Sequence, residues 1–225
     1  MKKFFLIVAA LLILLALAAC ASVEQHDEAP HDVVRMPSWV KDMGLDEDAE
    51  VIVQVSADYP YYTSIDSLSA RASDIVRVEV LDERVELINT LIPSADELED
   101  VGDTREAYDV FTVHRIRVLE VFKGNAEIGD ILELKQIGGQ WENITLICDD
   151  KIPFAIGNDL VLFLETYDIE GMPASLLNPF QSAYRFPPSG ERIVAMNANE
   201  ILESLYPGNR LTLTLEDLIN LRNAR

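Results

Sequence analysis

Residues 108 to 122, YDVFTVHRIRVLEVF, alternate and then slip. Val110, Thr112, His114, Ile116 and Val118 fall on one face of an extended chain, because successive side chains of a strand point to opposite sides. Leu119-Glu120 breaks that period before Val121 resumes it. A one-residue slip in a regular strand is what a β-bulge does, and it bends the strand and increases its twist. So long a strand with a built-in bend predicts a closed or partly open barrel.

The rest of the chain agrees with a β-rich fold. Val51 to Val55 reads as a strand, and Ile75 to Ile88 as a long one with Val76, Val78 and Val80 on one face and Arg77 and Glu79 on the other. Ile131 to Ile137 forms another, and Gly138-Gly139 turns the chain into Asn143 to Cys148. Leu160 to Leu164 is continuously apolar, as expected of a strand buried on both faces. Shorter β pieces follow near Ser175 to Leu177, Ala183 to Phe186 and Arg192 to Ala195. Helices are few. Thr63 or Ser64 can cap a short one running through Ala72. A second is read at Asn199 to Leu205, ended by Pro207-Gly208. Thr214 and Asp217 form a capping box, with Leu213 and Leu218 as a hydrophobic staple, for a helix to about Asn223. The expected fold is mainly β with minor α: an OB-like barrel of five or more strands, short peripheral helices and a C-terminal helix.

The N-terminus carries a different message. Lys2 and Lys3 precede an apolar run from Phe4 to Ala19, of signal-peptide length and shorter than a spanning helix. Leu17-Ala18-Ala19-Cys20 resembles a bacterial lipobox, which implies that residues 1 to 19 are a lipoprotein signal peptide and that Cys20 receives a diacylglyceryl group. Such a group anchors a domain without a spanning helix, each buried methylene contributing about 0.8 kcal/mol. Residues 20 to 50 are polar and acidic and are read as a tether, with Trp39 and Val40 available to dock on the domain; residues 51 to 225 form one β-barrel domain. The expected location is the extracytoplasmic face of a cell membrane, held by lipid.

Charge excludes one class of partner. The chain carries 39 acids against 18 Lys and Arg, a formal charge of -21, and losing Lys2 and Lys3 with the signal moves it to -23. Such a surface repels phosphate backbones, so nucleic acid is not expected as a partner. Cys148 is the only cysteine besides Cys20, in the strand-like ITLIC, and reads as a buried thiol. Three histidines are present: His26 and His31 in the tether, and His114 on a strand face as a hydrogen-bonded barrel residue. Nucleophile elbows, His-Glu-x-x-His and phosphate-cradling loops do not occur, and the acid clusters at Asp46 to Asp48 and Asp96 to Asp103 lack calcium-loop spacing. No catalytic residue, metal or cofactor is expected. The acidic excursion 93 to 107 is read as a solvated loop or short helix.

Ser73-Asp74-Ile75-Val76, then TVHRIRVLEVFKG (112 to 124), a cysteine, and Ile156-Gly157-Asn158-Asp159-Leu160-Val161-Leu162-Phe163 follow one another over residues 70 to 165. This succession resembles netrin-like modules, which share an OB-type barrel with tissue metalloproteinase inhibitors. Those inhibitors use disulfides and a free N-terminal cysteine amine to chelate protease zinc; here Cys148 has no partner and Cys20 is expected to be lipidated. The resemblance therefore implies the barrel and argues against the inhibitory mechanism. More broadly the chain resembles bacterial surface lipoproteins of uncharacterised family.

Two places are candidate binding surfaces. Tyr59-Pro60-Tyr61-Tyr62 gathers aromatic groups at a turn, and Gly138 to Asn143 places Trp141 in a glycine-flanked hairpin loop. Aromatic side chains offer large contact area at little entropy cost, and they also serve as lids on a domain's own core. The function expected from these residues is a non-enzymatic, lipid-anchored binding module with Tyr59, Tyr61, Tyr62 and Trp141 as ligand contacts and an envelope or extracellular protein as partner. An envelope-acting hydrolase or protease inhibitor is the alternative.

Overall fold

The computed structural model describes residues 37, 39–40, 44, 49–90, 107–187 and 197–224. The signal segment, Cys20, most of the tether with His26, His31 and Asp46 to Asp48, residues 93–106 of the acidic excursion and the strand read at 192–195 lie outside them.

In chain order the elements are β1 (Val51–Val55), α1 (Ile65–Arg71), β2 (Asp74–Asn89), β3 (Tyr108–Lys123), β4 (Ile131–Ile137), β5 (Gly139–Trp141), β6 (Ile144–Cys148), β7 (Asp159–Glu165), β8 (Ala174–Leu176), β9 (Ala183–Arg185), β10 (Ile201–Ser204), β11 (Leu213–Thr214) and α2 (Leu215–Asn223). The chain is mainly β, with a closed five-stranded barrel. Its strands run β2-β3-β4-β8-β7 and back to β2, all neighbours antiparallel except β4 and β8. Numbered by their order in the chain, the five strands follow the cycle 1-2-3-5-4, compatible with an OB-like barrel. β9, β10 and β11 extend the sheet outward from β7, and β1-β6-β5 form a separate three-stranded sheet.

The slip read at Leu119 is visible in the pairing. Arg77 faces Glu120 and Val78 faces Val118, so Leu119 has no partner; two more shifts flank Val76 and Leu81. Three irregularities in one strand pair give the curvature that closes a small barrel.

Three apolar clusters follow from the alternation. Val76, Val78, Val80, Ile116, Val118, Leu134 and Leu160, Leu162 and Leu164 fill the barrel. On the outer face Ile75, Phe122, Val161, Phe163 and Tyr184 meet Leu68 of α1 and Leu215 and Leu218 of α2. β7 is thus covered on both faces, which is why its sequence lacks alternation. Under the three-stranded sheet, Val40, Val51, Ile144 and Leu146 pack with Val85, Leu87 and Val110 from the far ends of β2 and β3, and the Trp39 indole donates to Asp109 at 3.0 Å. Each fully buried Leu or Ile contributes about 1.5–3 kcal/mol.

Both helix starts behave as their residues dictate. Ser64 caps α1 in a reciprocal pair with Ser67, and Thr214 caps α2 with Asp217. Leu213 and Leu218 are both fully buried, as a staple requires.

Two readings are corrected. Asn199 to Leu205 is not a helix: Ile201–Ser204 is strand β10, pairing with β9 and β11. Leu202 is buried while Ile201 and Glu203 are exposed, a period of two that helix-forming Leu and Glu obscured. Trp141 is not in a loop, because Gly139–Trp141 is strand β5, antiparallel to β6. The turn is Glu142-Asn143, where Glu142 adopts a positive φ of 50° that sequence alone would assign to glycine or asparagine.

Arg77 fastens the barrel wall. Its guanidinium donates twice to Asp159 of β7, at 2.8 and 2.6 Å, and once to Glu120 of β3, at 2.8 Å, while lying 3.6 Å from the Phe186 ring centre. Burial opposes its charge, but the hydrogen bonds and charges of Asp159 and Glu120 outweigh it and hold the group protonated.

Candidate functional site

Three connections meet at one end of the described fold, and each couples a proline to an aromatic group: Tyr59-Pro60-Tyr61 between β1 and α1, Asn178-Pro179-Phe180 between β8 and β9, and Tyr206-Pro207-Gly208 between β10 and β11. Proline fixes φ, so each turn enters the native state already restricted.

The polar residues behind them are buried and satisfied. Asn178 and Gln181 are 2% and 1% exposed. The Asn178 carboxamide donates to the Pro60 carbonyl at 2.9 Å and accepts from the Phe180 amide at 2.8 Å. Gln181 accepts from the Tyr62 amide and donates to the Tyr62 carbonyl, both at 2.8 Å. Asn209 donates to the Tyr184 hydroxyl and to Ser204, and accepts from the Leu211 amide, which fixes the third turn. Gly208 has a steric role there, since a Cβ at that position would lie 2.5 Å from the Tyr206 ring.

The product is an open groove of about 420 Å³ lined by Tyr61, Phe180, Gln181, Tyr206, Gly208, Asn209 and Arg210. Tyr61 is 63% exposed. Phe180 packs against Tyr206 with ring centres 4.7 Å apart and planes tilted by 54°, and meets Tyr59 edge-on at 6.2 Å. Of the residues singled out from sequence, Tyr61 lines this groove and Tyr59 supports it from behind. Tyr62 turns inward against the outer core, its main chain held by Gln181. Trp141 lines neither this groove nor the cavity beside it; it is half-buried against Val51 and Ile144, its indole nitrogen without a hydrogen-bond partner. Phe180, Tyr206 and Arg210 were missed, although the repeated pairing of proline with an aromatic residue at three turns could have found the first two.

Tyr59 also lines a second, smaller cavity of about 210 Å³, with Lys135, Lys151, Cys148 and Asp150 on its walls. Burial pushes the Tyr59 phenol up to about 12, with the nearby Cys148 and Asp150 adding to it. Burial likewise raises the Cys148 thiol, so at neutral pH it is not a ready nucleophile.

In the wall of this cavity, the two amide atoms of Gln136 pair with the main chain of Ile152, at 3.0 Å each. That pairing fixes the orientation of the amide: its nitrogen, 3.1 Å from His114 Nε2, donates there. His114 Nε2 is then an unprotonated acceptor and Nδ1 carries the proton, 3.4 Å from a Glu83 carboxylate oxygen but outside hydrogen-bond geometry. Burial lowers the imidazole's affinity for a second proton, which Glu83 partly offsets and Lys151 reinforces. His114 is therefore a neutral, hydrogen-bonded barrel residue at neutral pH. Among the described residues, no three His, Cys, Asp or Glu side chains are grouped as a metal site would need. No protein-family model, curated protein or solved structure matches this chain.

Proposed function

We propose that this protein is a lipid-anchored, extracytoplasmic binding module, held to the membrane through Cys20, with the groove of Tyr61, Phe180 and Tyr206 as its ligand-facing surface. The observation that carries the reading is the contrast between a rigid, buried polar frame and the exposed aromatic groups it holds. Asn178 and Gln181 are nearly inaccessible and fully engaged, yet they position a Tyr61 that is 63% exposed and gains little from burial. Folding stability alone gives no reason to fix an exposed ring, whereas an aromatic contact held in place loses little entropy on binding. The barrel is proposed to be of netrin-like type, supported by the TVHRIRVLEVFKG strand with its bulge and by the five-strand closure. The hydrolase alternative calls for paired carboxylates, and the groove and the smaller cavity have one acid between them, Asp150, whose Oδ2 already accepts from the Ala57 amide.

The test is capture by crosslinking from envelope extract with the full chain as bait, beside Tyr61→Ala and Tyr206→Ala baits and a Trp141→Ala control. A specific partner lost with the groove variants and kept with Trp141→Ala supports the reading. Capture insensitive to both groove variants refutes the assigned face. For the anchor, Cys20→Ser should abolish lipid labelling and release the protein from membranes; unchanged retention would remove the lipobox reading.

A further inference from the structure

In a chain with twice as many acids as bases, cations without acidic partners stand out. Every described arginine except Arg210 meets a carboxylate within 3.8 Å. Lys123 donates to three backbone carbonyls. Lys135 and Lys151 alone among the described lysines line a cavity, and neither makes an ion pair. Lys135 donates to the Pro173 carbonyl at 2.8 Å and sits 4.1 Å from the Tyr167 ring centre; Lys151 donates to the Thr112 hydroxyl at 2.6 Å. An ammonium carries three donors, so each of these keeps capacity for a further acceptor.

We propose that the cavity between the β4–β8 edge and the end of β6 binds a small organic monocarboxylate, its carboxylate held by Lys135 and Lys151 and its apolar body against Tyr59, Phe111 and Leu176. Three features select that chemistry. The lining carries two ammonium groups and a single acid, Asp150, and neither ammonium forms an ion pair with it. The strongly acidic surface disfavours the approach of multiply charged anions such as phosphates. A volume of about 210 Å³ lies below the roughly 300–1,000 Å³ of drug- and cofactor-sized pockets, so the occupant is small. The cavity also shapes its lysines: burial pushes the Lys135 amine down to about 8, with Glu165 opposing, and lowers that of Lys151, with Glu83 and Cys148 opposing. A bound carboxylate supplies the direct ion pair that neither lysine makes with a described residue. This site is separate from the aromatic groove and does not depend on the groove's role.

The test is a titration of the full chain in detergent, with lysines carrying ¹³C-methyl labels, against benzoate and its neutral analogue benzamide. Benzoate should shift the Lys135 and Lys151 signals saturably while the Lys123 signal stays put, and benzamide should shift none of them. Lys135→Met and Lys151→Met should each weaken benzoate binding at least tenfold. A wild-type arm stands apart from any folding defect in the variants: affinity should fall as pH rises past about 8 and Lys135 loses its proton. Absence of a saturable shift in the wild type, equal response to benzamide, or affinity undiminished at pH 10 would overturn the proposal and leave two merely solvated lysines.

Discussion

The Gln181 side chain closes a two-point clasp on the main chain of Tyr62, accepting from its amide and donating to its carbonyl at 2.8 Å each. The clasp joins the turn before α1 to the turn after β8, segments 119 residues apart. Gln181→Ala should cost about 2–3 kcal/mol, two hydrogen bonds together with the main-chain groups left unsatisfied. A lowered urea midpoint and faster amide exchange at Tyr62, with the Leu68 amide of α1 unaffected, would show it; unchanged exchange at Tyr62 would deny the clasp its role.

Arg77 is nearly inaccessible and bonded to both Asp159 and Glu120, so removing it strands Asp159 and leaves Glu120 only the more distant Arg222, 3.8 Å away, at the barrel wall. Arg77→Met should destabilise the protein by about 3 kcal/mol or more, since an ion pair broken from one side leaves uncompensated charge. The double variant Arg77→Met with Glu120→Gln should recover part of the loss in denaturant titrations. Simple additivity of the two substitutions would mean that the groups are not coupled.

Gly124 closes the Val-Phe-Lys-Gly stretch at a φ of 97°, against the Asp74 carboxylate. A Cβ there would run into that carboxylate and come within 2.7 Å of the Ser73 carbonyl oxygen. Asp74 meanwhile accepts from the Asn125 and Ala126 amides at 2.9 and 3.2 Å, so it has little freedom to withdraw. Gly124→Ala should lower stability by about 3 kcal/mol, combining left-handed strain with displacement of those bonds. Gly171→Ala, equally left-handed but with open space around it, is the control for strain without collision and should cost about 1–2 kcal/mol.

His114 provides a pH dependence of known sign. Burial holds its folded-state value below the ordinary 6.5 or so, so the unfolded chain takes up a proton that the folded chain resists. Its contribution is complete above about pH 6.5 and declines as pH falls toward the folded value. The drop in urea midpoint between pH 7.5 and 5.0 should be larger for the wild type than for His114→Gln. Equal drops would place the titration elsewhere.

Much of this architecture was legible because it depends on local patterns. The bulge at Leu119 is written as a broken alternation, the two-sided burial of Leu160 to Leu164 as a run without polar interruption, and both helix starts as side chains that satisfy neighbouring amides. Each is decided within a few residues. β10 was not legible, since Leu202 and Glu203 suit a helix by propensity and the pairing with Arg185 and Tyr184 overrides it.

The site divides in the same way. The aromatic turn at Tyr59 to Tyr62 could be named in advance, because proline beside tyrosine restricts the chain wherever it sits. Which ring faces outward could not. Tyr61 is presented and Tyr62 withdrawn because Gln181, distant in sequence, grips the main chain of Tyr62 at both its amide and its carbonyl, and Trp141 joins a core because β5 pairs with β6 and sets it opposite Ile144. By itself the sequence determined a bent, bulged β-barrel, an acidic surface and an N-terminal run with a lipobox-like ending. Only the tertiary structure brought three proline turns into one groove and set Lys135 and Lys151 in one cavity without an ion pair, because partners separated by many residues are chosen by barrel closure and strand register, which no local pattern encodes.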